Sequence, residues 1–200
     1  MDPLVDKVSI VTGASRGIGK AVSLCLARSG SRVALAARSK AELEAVQEEI
    51  RAQGGEAIVV PTDLAGDGAA EQLVSRTLGV WGTIDVLINN AGWGKMASIV
   101  KSRVEDWDRT FKVNLRAPML LSRLVLPTMM EKKNGAIINI SSVSGKSAHA
   151  NGAAYCASKF GLLGFTQSLF EEVREHGIRV AAILPGFVDT PMIPRSAKLN

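Results

Sequence analysis

The chain has 200 residues, 46% apolar and 22% charged, with a formal net charge of +5. This is the balance of a globular chain with one substantial core, too short for two ample domains and too apolar for disorder. Its basic residues form no block interleaved with aromatics, no apolar run is long enough to span a bilayer, and Met1–Lys7 has no signal-peptide pattern. The expectation is therefore a cytoplasmic protein without nucleic-acid or membrane partners.

Short β-branched runs alternate with longer stretches of helical period, the pattern of βαβ units and a parallel sheet. The first strand, Val8–Thr12, runs into Thr12-Gly13-Ala14-Ser15-Arg16-Gly17-Ile18-Gly19 and a helix over Gly17–Ser29. Glycines at that junction allow a tight turn, close backbone approach to a pyrophosphate and close packing of helix on strand. The helix N-terminus adds free N–H groups and a favourable dipole. The second strand, Arg32–Ala37, is apolar almost throughout, as a strand buried on both faces should be. It ends Ala36-Ala37-Arg38-Ser39, where an NAD site would carry an acid for the ribose hydroxyls. With no acid there, Arg38 and Arg16 are placed to clamp a 2′-phosphate and Ser39 to add a hydroxyl, which favours NADP(H).

A capping box, Ser39-x-x-Glu42, opens the helix Ala41–Gln53. Strand Ala57–Pro61 leads to Asp63-Leu64, helix Gly68–Val80 follows, and strand Val86–Asn89 leads to Asn90-Ala91-Gly92. Carboxyl ends of strands are where open α/β sheets bind ligands. A second box, Ser102-x-x-Glu105, opens a long helix over Val104–Met130. Pro118 inside it has no N–H and clashes with the Asn114 carbonyl four residues back. It is read as a kink that frees that carbonyl for a water.

Strand Ala136–Ile140 leads to Ser141-Ser142, and helix Ala153–His176 carries Tyr155 and Lys159 on one face, four residues apart. An ammonium beside a phenol favours phenolate and lowers the tyrosine pKa towards the range of acid/base catalysis. The last strand, Val180–Leu184, precedes Pro185-Gly186. Gly30, Gly54 and Gly177 close three helices. No linker or repeat divides residues 1–200, so one domain is expected. Cys25 and Cys156 read as small buried hydrophobes within helices, and His149 and His176 lack ligand spacing, so no metal site is expected.

Taken together, the Thr12–Gly19 turn, Asp63, Asn89–Gly92, Asn114, Ser142, Tyr155, Lys159, Pro185-Gly186 and Thr190 resemble the short-chain dehydrogenase/reductase family over essentially the whole chain. The resemblance implies a single Rossmann-type, doubly wound α/β domain with strand order 3-2-1-4-5-6 and helices on both faces. With the C-terminus shortened, the family's substrate loop, further helix and seventh strand would be absent.

It also implies NADP(H) as cofactor. Gly13, Ser15, Arg16, Gly17, Ile18, Gly19, Arg38 and Ser39 would hold its phosphates, and Asp63 and Leu64 would flank the adenine. Asn90, Ala91 and Gly92 would line the cleft, and Pro185, Gly186, Val188 and Thr190 would cover the nicotinamide. Tyr155 would be general acid or base, with Lys159 holding the ribose hydroxyls and lowering the Tyr155 pKa. Ser142 would bind the substrate oxygen, and Asn114 would help hold a water leading from Lys159 to solvent.

The segments that shape the pocket in this family contribute Trp93 and Met96, then Ser144, Lys146 and His149, then Phe187, Met192 and Ile193. Among these, Trp93 and His149 are expected beside the substrate with Ser142. A small carbonyl or alcohol is the expected partner, a ketone or 3-oxoacyl compound first, with steroids, sugars, quinones and pteridines open. A homo-oligomer is implied for a complete C-terminus. The competing reading is an NADP(H)-binding sensor with little turnover. A methyltransferase-like protein would leave Tyr155 and Lys159 unexplained.

Overall fold

Residues 4–190 are described by a computed structural model of the chain. Six parallel strands form one sheet: β1 (Val8–Thr12), β2 (Arg32–Ala37), β3 (Ala57–Pro61), β4 (Val86–Asn89), β5 (Gly135–Ile140) and β6 (Ile178–Ile183). Their order is β3-β2-β1-β4-β5-β6, as the resemblance implied. The register sets Ile10 between Ala34 and Leu87, and Ile138 between Ile88 and Ala181. The winding reverses between β1 and β4, which opens a crevice at the carboxyl ends of those strands.

Side chains alternate across a strand, so neighbouring residues build opposite cores. Ile10, Leu87 and Ile137 face Leu73 of α3 (Ala69–Trp81), Leu121 of α5 (Ala117–Glu131) and Leu169 of α6 (Ala153–Val173). Val11, Leu35 and Ile88 face Ala27 of α1 (Gly17–Arg28) and Leu43, Val46 and Ile50 of α2 (Lys40–Ala52). Each fully buried side chain of this kind is worth roughly 1.5–3 kcal/mol. Among the described residues this second face is bare on β6, where Arg179, Ala181 and Ile183 are exposed and the strand lies at one edge of the sheet.

Most strand and helix bounds follow the sequence pattern to within a few residues. β6 begins at Ile178, directly after Gly177, and β5 one residue early at Gly135. Cys25 is exposed, not buried, because α1 buries Gly19, Ser23 and Ala27, and a residue two beyond Ser23 lies on the opposite side of the helix. Cys156 is buried as expected.

Ser39 caps α2 by accepting the Glu42 N–H at 3.3 Å, but Ser102 caps nothing. Its hydroxyl turns back to donate to the Ser98 carbonyl at 2.9 Å, satisfying the preceding short turn, and α4 (Val104–Phe111) starts behind Arg103 without a side-chain cap. The expected long helix is two: α4 and α5 are joined by a π-helical turn over Lys112–Arg116, in which the Ala117 N–H reaches the Lys112 carbonyl. Pro118 sits at the start of α5, where the missing N–H costs least. No described helix is long and apolar enough to cross a membrane.

Candidate active site

The glycine turn lies at the switch point. Gly13 and Gly17 adopt φ of 65° and 55°, a region costly for other residues. A Cβ on Gly13 would come within 2.8 Å of the Asn90 amide and 3.0 Å of the Ala91 Cα, and one on Gly19 would collide with the Gly13 carbonyl. The absence of side chains thus lets the turn pack directly on itself and on the loop after β4. The N-terminus of α1 has neither a side-chain cap nor an acid in its first turn, so its leading N–H groups face outward unpaired by side chains.

Thr12, the last residue of β1, fastens this turn to the loop after β4. Its hydroxyl accepts the N–H groups of Asn90 and Ala91, both at 3.0 Å, and donates to the Ile88 carbonyl at 3.3 Å. Asn90 returns a bond from its side chain to the Thr12 carbonyl at 2.9 Å. Thr12 thus carries more of the cleft than its place at the edge of a glycine motif suggested.

Arg16, Arg38 and Ser39 stand around the mouth of the turn. Both arginines are exposed, and neither guanidinium is engaged by another described residue. Ile18 is half-buried on α1. Asp63 is exposed after β3; one carboxylate oxygen accepts the Ala65 N–H at 3.1 Å and the other meets Arg109 at 3.1 Å. Leu64 packs on the first core cluster.

On the opposite side, Ser141 donates to the Lys159 carbonyl and Ser142 Oγ accepts the Ser144 N–H at 3.1 Å, fixing the strand end against α6. Val143 bonds the Pro185 carbonyl, which holds the two loops together. Thr190 reaches back to within 3.1 Å of where a Gly17 Cβ would lie, so the segment from Pro185 to Thr190 passes over the glycine turn. Within it Gly186 has open space around it, while Phe187 and Val188 are exposed. Met192 and Ile193 lie outside the described residues.

Tyr155, Lys159, Ser142 and Asn114 converge. Lys159 is only 3% exposed, donates to the Ile140 carbonyl at 2.7 Å, and holds its ammonium 5.8 Å from the centre of the Tyr155 ring. Burial pulls its pKa down to about 8. The expected lowering of Tyr155 by Lys159 does not hold. Burial pushes the phenol up from its ordinary value, and the Ser142 hydroxyl beside it pulls only partly back. The physical reason is the burial of the phenol, which disfavours its charged form.

Asn114 is fully buried in the π-turn and tied on both sides. Its side chain accepts the Trp93 N–H and donates to the Trp93 carbonyl, each at 2.8 Å, and donates to Ser158 at 3.0 Å. Ser158 in turn donates to the Tyr155 carbonyl at 2.7 Å. A residue without a sequence signal of its own, Ser158 thus links Asn114 to the helix that presents Tyr155 and Lys159. Beneath the site a buried ladder runs from Asn89 to Asn139 to Thr166, with 2.8 Å at each step. Asn139 and Thr166 also escaped the sequence reading, since a single polar residue inside a strand or helix has no periodic signature.

Trp93 is half-buried and Met96 exposed. Ser144 is buried and Lys146 exposed behind Ser142. His149 lies on an exposed loop, with its ring over Gly152 and Nδ1 within 3.1 Å of the Ala150 carbonyl. That loop meets the β4–α4 loop through the Ala97 N–H and Asn151 carbonyl at 2.9 Å. Among the described residues no group of acids, histidines and cysteines could hold a metal ion.

A glycine turn at the switch point of a doubly wound sheet, together with half-buried Ser142 and Tyr155 around the buried Lys159, defines a nucleotide-dependent oxidoreductase. The family model for short chain dehydrogenases matches residues 7–198. The chain is 41% identical over 193 residues to a 3-oxoacyl-[acyl-carrier-protein] reductase of Synechocystis, covering 96% of this chain and 78% of that protein. It is 35% identical to the reductase of that name from Thermotoga maritima, covering 98% and 80%. A metagenomic short-chain oxidoreductase solved in complex with NADP superposes with a TM-score of 0.89 at 46% identity, covering 92% of this chain and 84% of that one. The chain belongs to the short-chain dehydrogenase family.

Proposed function

We propose that this protein is an NADP(H)-dependent reductase of ketone or 3-oxoacyl substrates, with Tyr155 as general acid. The carrying observation is the convergence of Ser142, Tyr155 and Lys159 on the carboxyl side of a sheet whose switch point carries the glycine turn. The relatives named as 3-oxoacyl reductases support the substrate class, and the neighbour solved with NADP supports the cofactor.

The residues fit such a dinucleotide. The glycine turn packs on the loop after β4 without side chains of its own, α1 opens without an acid, and exposed Arg16 stands in the turn and exposed Arg38 where β2 ends. In this reading Gly13, Ser15, Gly17, Ile18 and Gly19 take the pyrophosphate, Arg16, Arg38 and Ser39 the 2′-phosphate, and Asp63 and Leu64 the adenine. Asn90 to Gly92 line the cleft, and Pro185, Gly186, Val188 and Thr190 close over the nicotinamide. When bound, the cofactor supplies the hydride.

The chain's own residues handle the proton. Ser142 hydrogen-bonds the substrate carbonyl and aligns it with the Tyr155 hydroxyl. Tyr155, held protonated by its burial, donates its proton to the oxygen as negative charge develops there. Lys159, charged below about pH 8, holds the ribose hydroxyls, and the Ser142 hydroxyl steadies the phenolate left on Tyr155. Asn114 secures the Trp93 backbone on the cleft side and, through the carbonyl that Pro118 leaves without its donor, helps hold a water for reprotonation. Trp93 and His149 border the space for the substrate chain.

Titration with NADPH and NADH followed by protein fluorescence, then a carbonyl panel with wild type and Tyr155→Phe, tests this reading. NADPH should bind more tightly, and Tyr155→Phe should lose about 100-fold or more in kcat. Tighter NADH binding would overturn the cofactor assignment, and undiminished turnover in Tyr155→Phe the mechanism. NADPH binding by a wild type that turns over nothing on the panel would favour the sensor reading.

A further inference from the structure

The Tyr155 ring is seated against bare backbone. A Cβ built on Gly94 would lie 2.8 Å from Tyr155 Cδ2 and 3.4 Å from its Cγ, well inside contact distance. The strip carrying Gly94 is held on either side. Asn114 binds both main-chain polar groups of Trp93, and Ala97 bonds Asn151 downstream. The Trp93 ring has its own fixture, the Arg109 guanidinium of α4, whose Cζ lies 5.8 Å from the ring centroid. That distance is within cation–π range.

Arg109 is oriented in turn by the Asp63 carboxylate at 3.1 Å, and its buried Nε has no partner. An ion pair this exposed adds little to stability. Its geometry nevertheless sets where the guanidinium can lie, and therefore where Trp93 can lie.

We infer that Arg109 and Gly94 are positioning residues for Tyr155. Arg109 pins Trp93, and the pinned strip presents Gly94 as the wall that sets the depth of the phenol in the cleft. The inference rests on Tyr155 being the acid of the proposed reaction. It explains why a glycine stands at an exposed loop position whose φ requires none. The contact leaves no room for a side chain.

A double-mutant cycle on the full chain tests it, with kcat, KM, the pH dependence of kcat, NADPH affinity and thermal midpoint as readouts. Gly94→Ala pushes against a strip that cannot retreat, so the ring gives way. The kcat should fall on the order of tenfold and its pH profile should move, with NADPH affinity held within about twofold. Arg109→Ala alone should lower kcat by about threefold through a loosened wall. In the double variant the Trp93 ring is free, so the strip can yield part of the way between its backbone ties, and kcat should exceed that of Gly94→Ala alone.

Losses that multiply would overturn the pinning, and a Gly94→Ala enzyme with wild-type kcat and pH profile would overturn the wall. If Gly94→Ala does not fold, Arg109→Lys against Arg109→Ala carries the test. Recovery of kcat by the lysine supports the pin, and an alanine variant identical to wild type overturns it. Undiminished turnover in Tyr155→Phe would instead overturn the acid assignment beneath both, which separates the two failures.

Discussion

Lys159 is buried in a place where only function justifies a charge. Its folded pKa, about 8, lies below the ordinary lysine value near 10.5 that the unfolded chain would show. Below about pH 8 the group is protonated in both states, and the native state bears the cost of a buried ammonium. Between those two values the native state releases its proton first, so that cost is relieved and stability rises with pH. The upper bound on the effect is about 3 kcal/mol, of which the bond to the Ile140 carbonyl returns a part. Lys159→Met should therefore abolish turnover yet stabilise the protein by about 1–3 kcal/mol at pH 7. Denaturation with urea at pH 7 and at pH 10 checks this, since the advantage should shrink at the higher pH.

The elements themselves are joined by polar ties that sit at strand ends, away from the chemistry. Asp85, just before β4, is 7% exposed and accepts the Val8 N–H of β1 at 2.9 Å and the Lys132 ammonium at 2.6 Å. It thus binds the amino ends of two central strands to the end of α5. Asp85→Asn removes the counter-charge of an exposed lysine that keeps Thr83 and the Ile84 carbonyl as partners, and weakens the bond to the Val8 N–H, so about 1–2 kcal/mol of stability should be lost. Equilibrium denaturation should show that loss, with NADPH affinity of the remaining folded protein unchanged because the cleft is at the other end of the sheet.

The π-turn is the element-scale feature that matters most to the site. The sequence signalled a deformation near Pro118, because a proline inside a helical pattern is always visible. It could not show that the deformation is an extra residue in the turn that carries Asn114, since that depends on what packs on both sides. Ser102 teaches the same lesson. The spacing of a capping box was present, but the hydroxyl found a nearer carbonyl in the turn before it.

For the whole molecule, the uneven clothing of the sheet has a consequence. Among the described residues one face is covered from β3 to β6, whereas on the other the cover of α1 and α2 extends onto β5 and gives out over β6. Ile183 is 52% exposed on the bare face of an edge strand, and Phe170 lies 41% exposed on α6, where it and Val180 help line a groove of about 370 Å³. Exposed apolar edge strands pair with other chains. Ile183→Lys should reduce light scattering at high protein concentration while leaving NADPH binding within about twofold. Equal aggregation of both proteins would show that this edge is not the contact.

Alternation of strand and helix periods, the glycine turn and the proline were enough to place the sheet and the cleft, because each is a local property of the chain. Ser142, Tyr155 and Lys159 were singled out by the family resemblance, not by spacing; the first follows β5 and the other two lie on α6. Thr12, Ser158, Arg109 and Gly94 took their parts only from tertiary contact, since a hydroxyl, a guanidinium or a missing Cβ acquires meaning from the surface it meets. The direction of the Tyr155 and Lys159 shifts was decided there too. Burial acts on each group through the whole surrounding volume, and no local spacing encodes that.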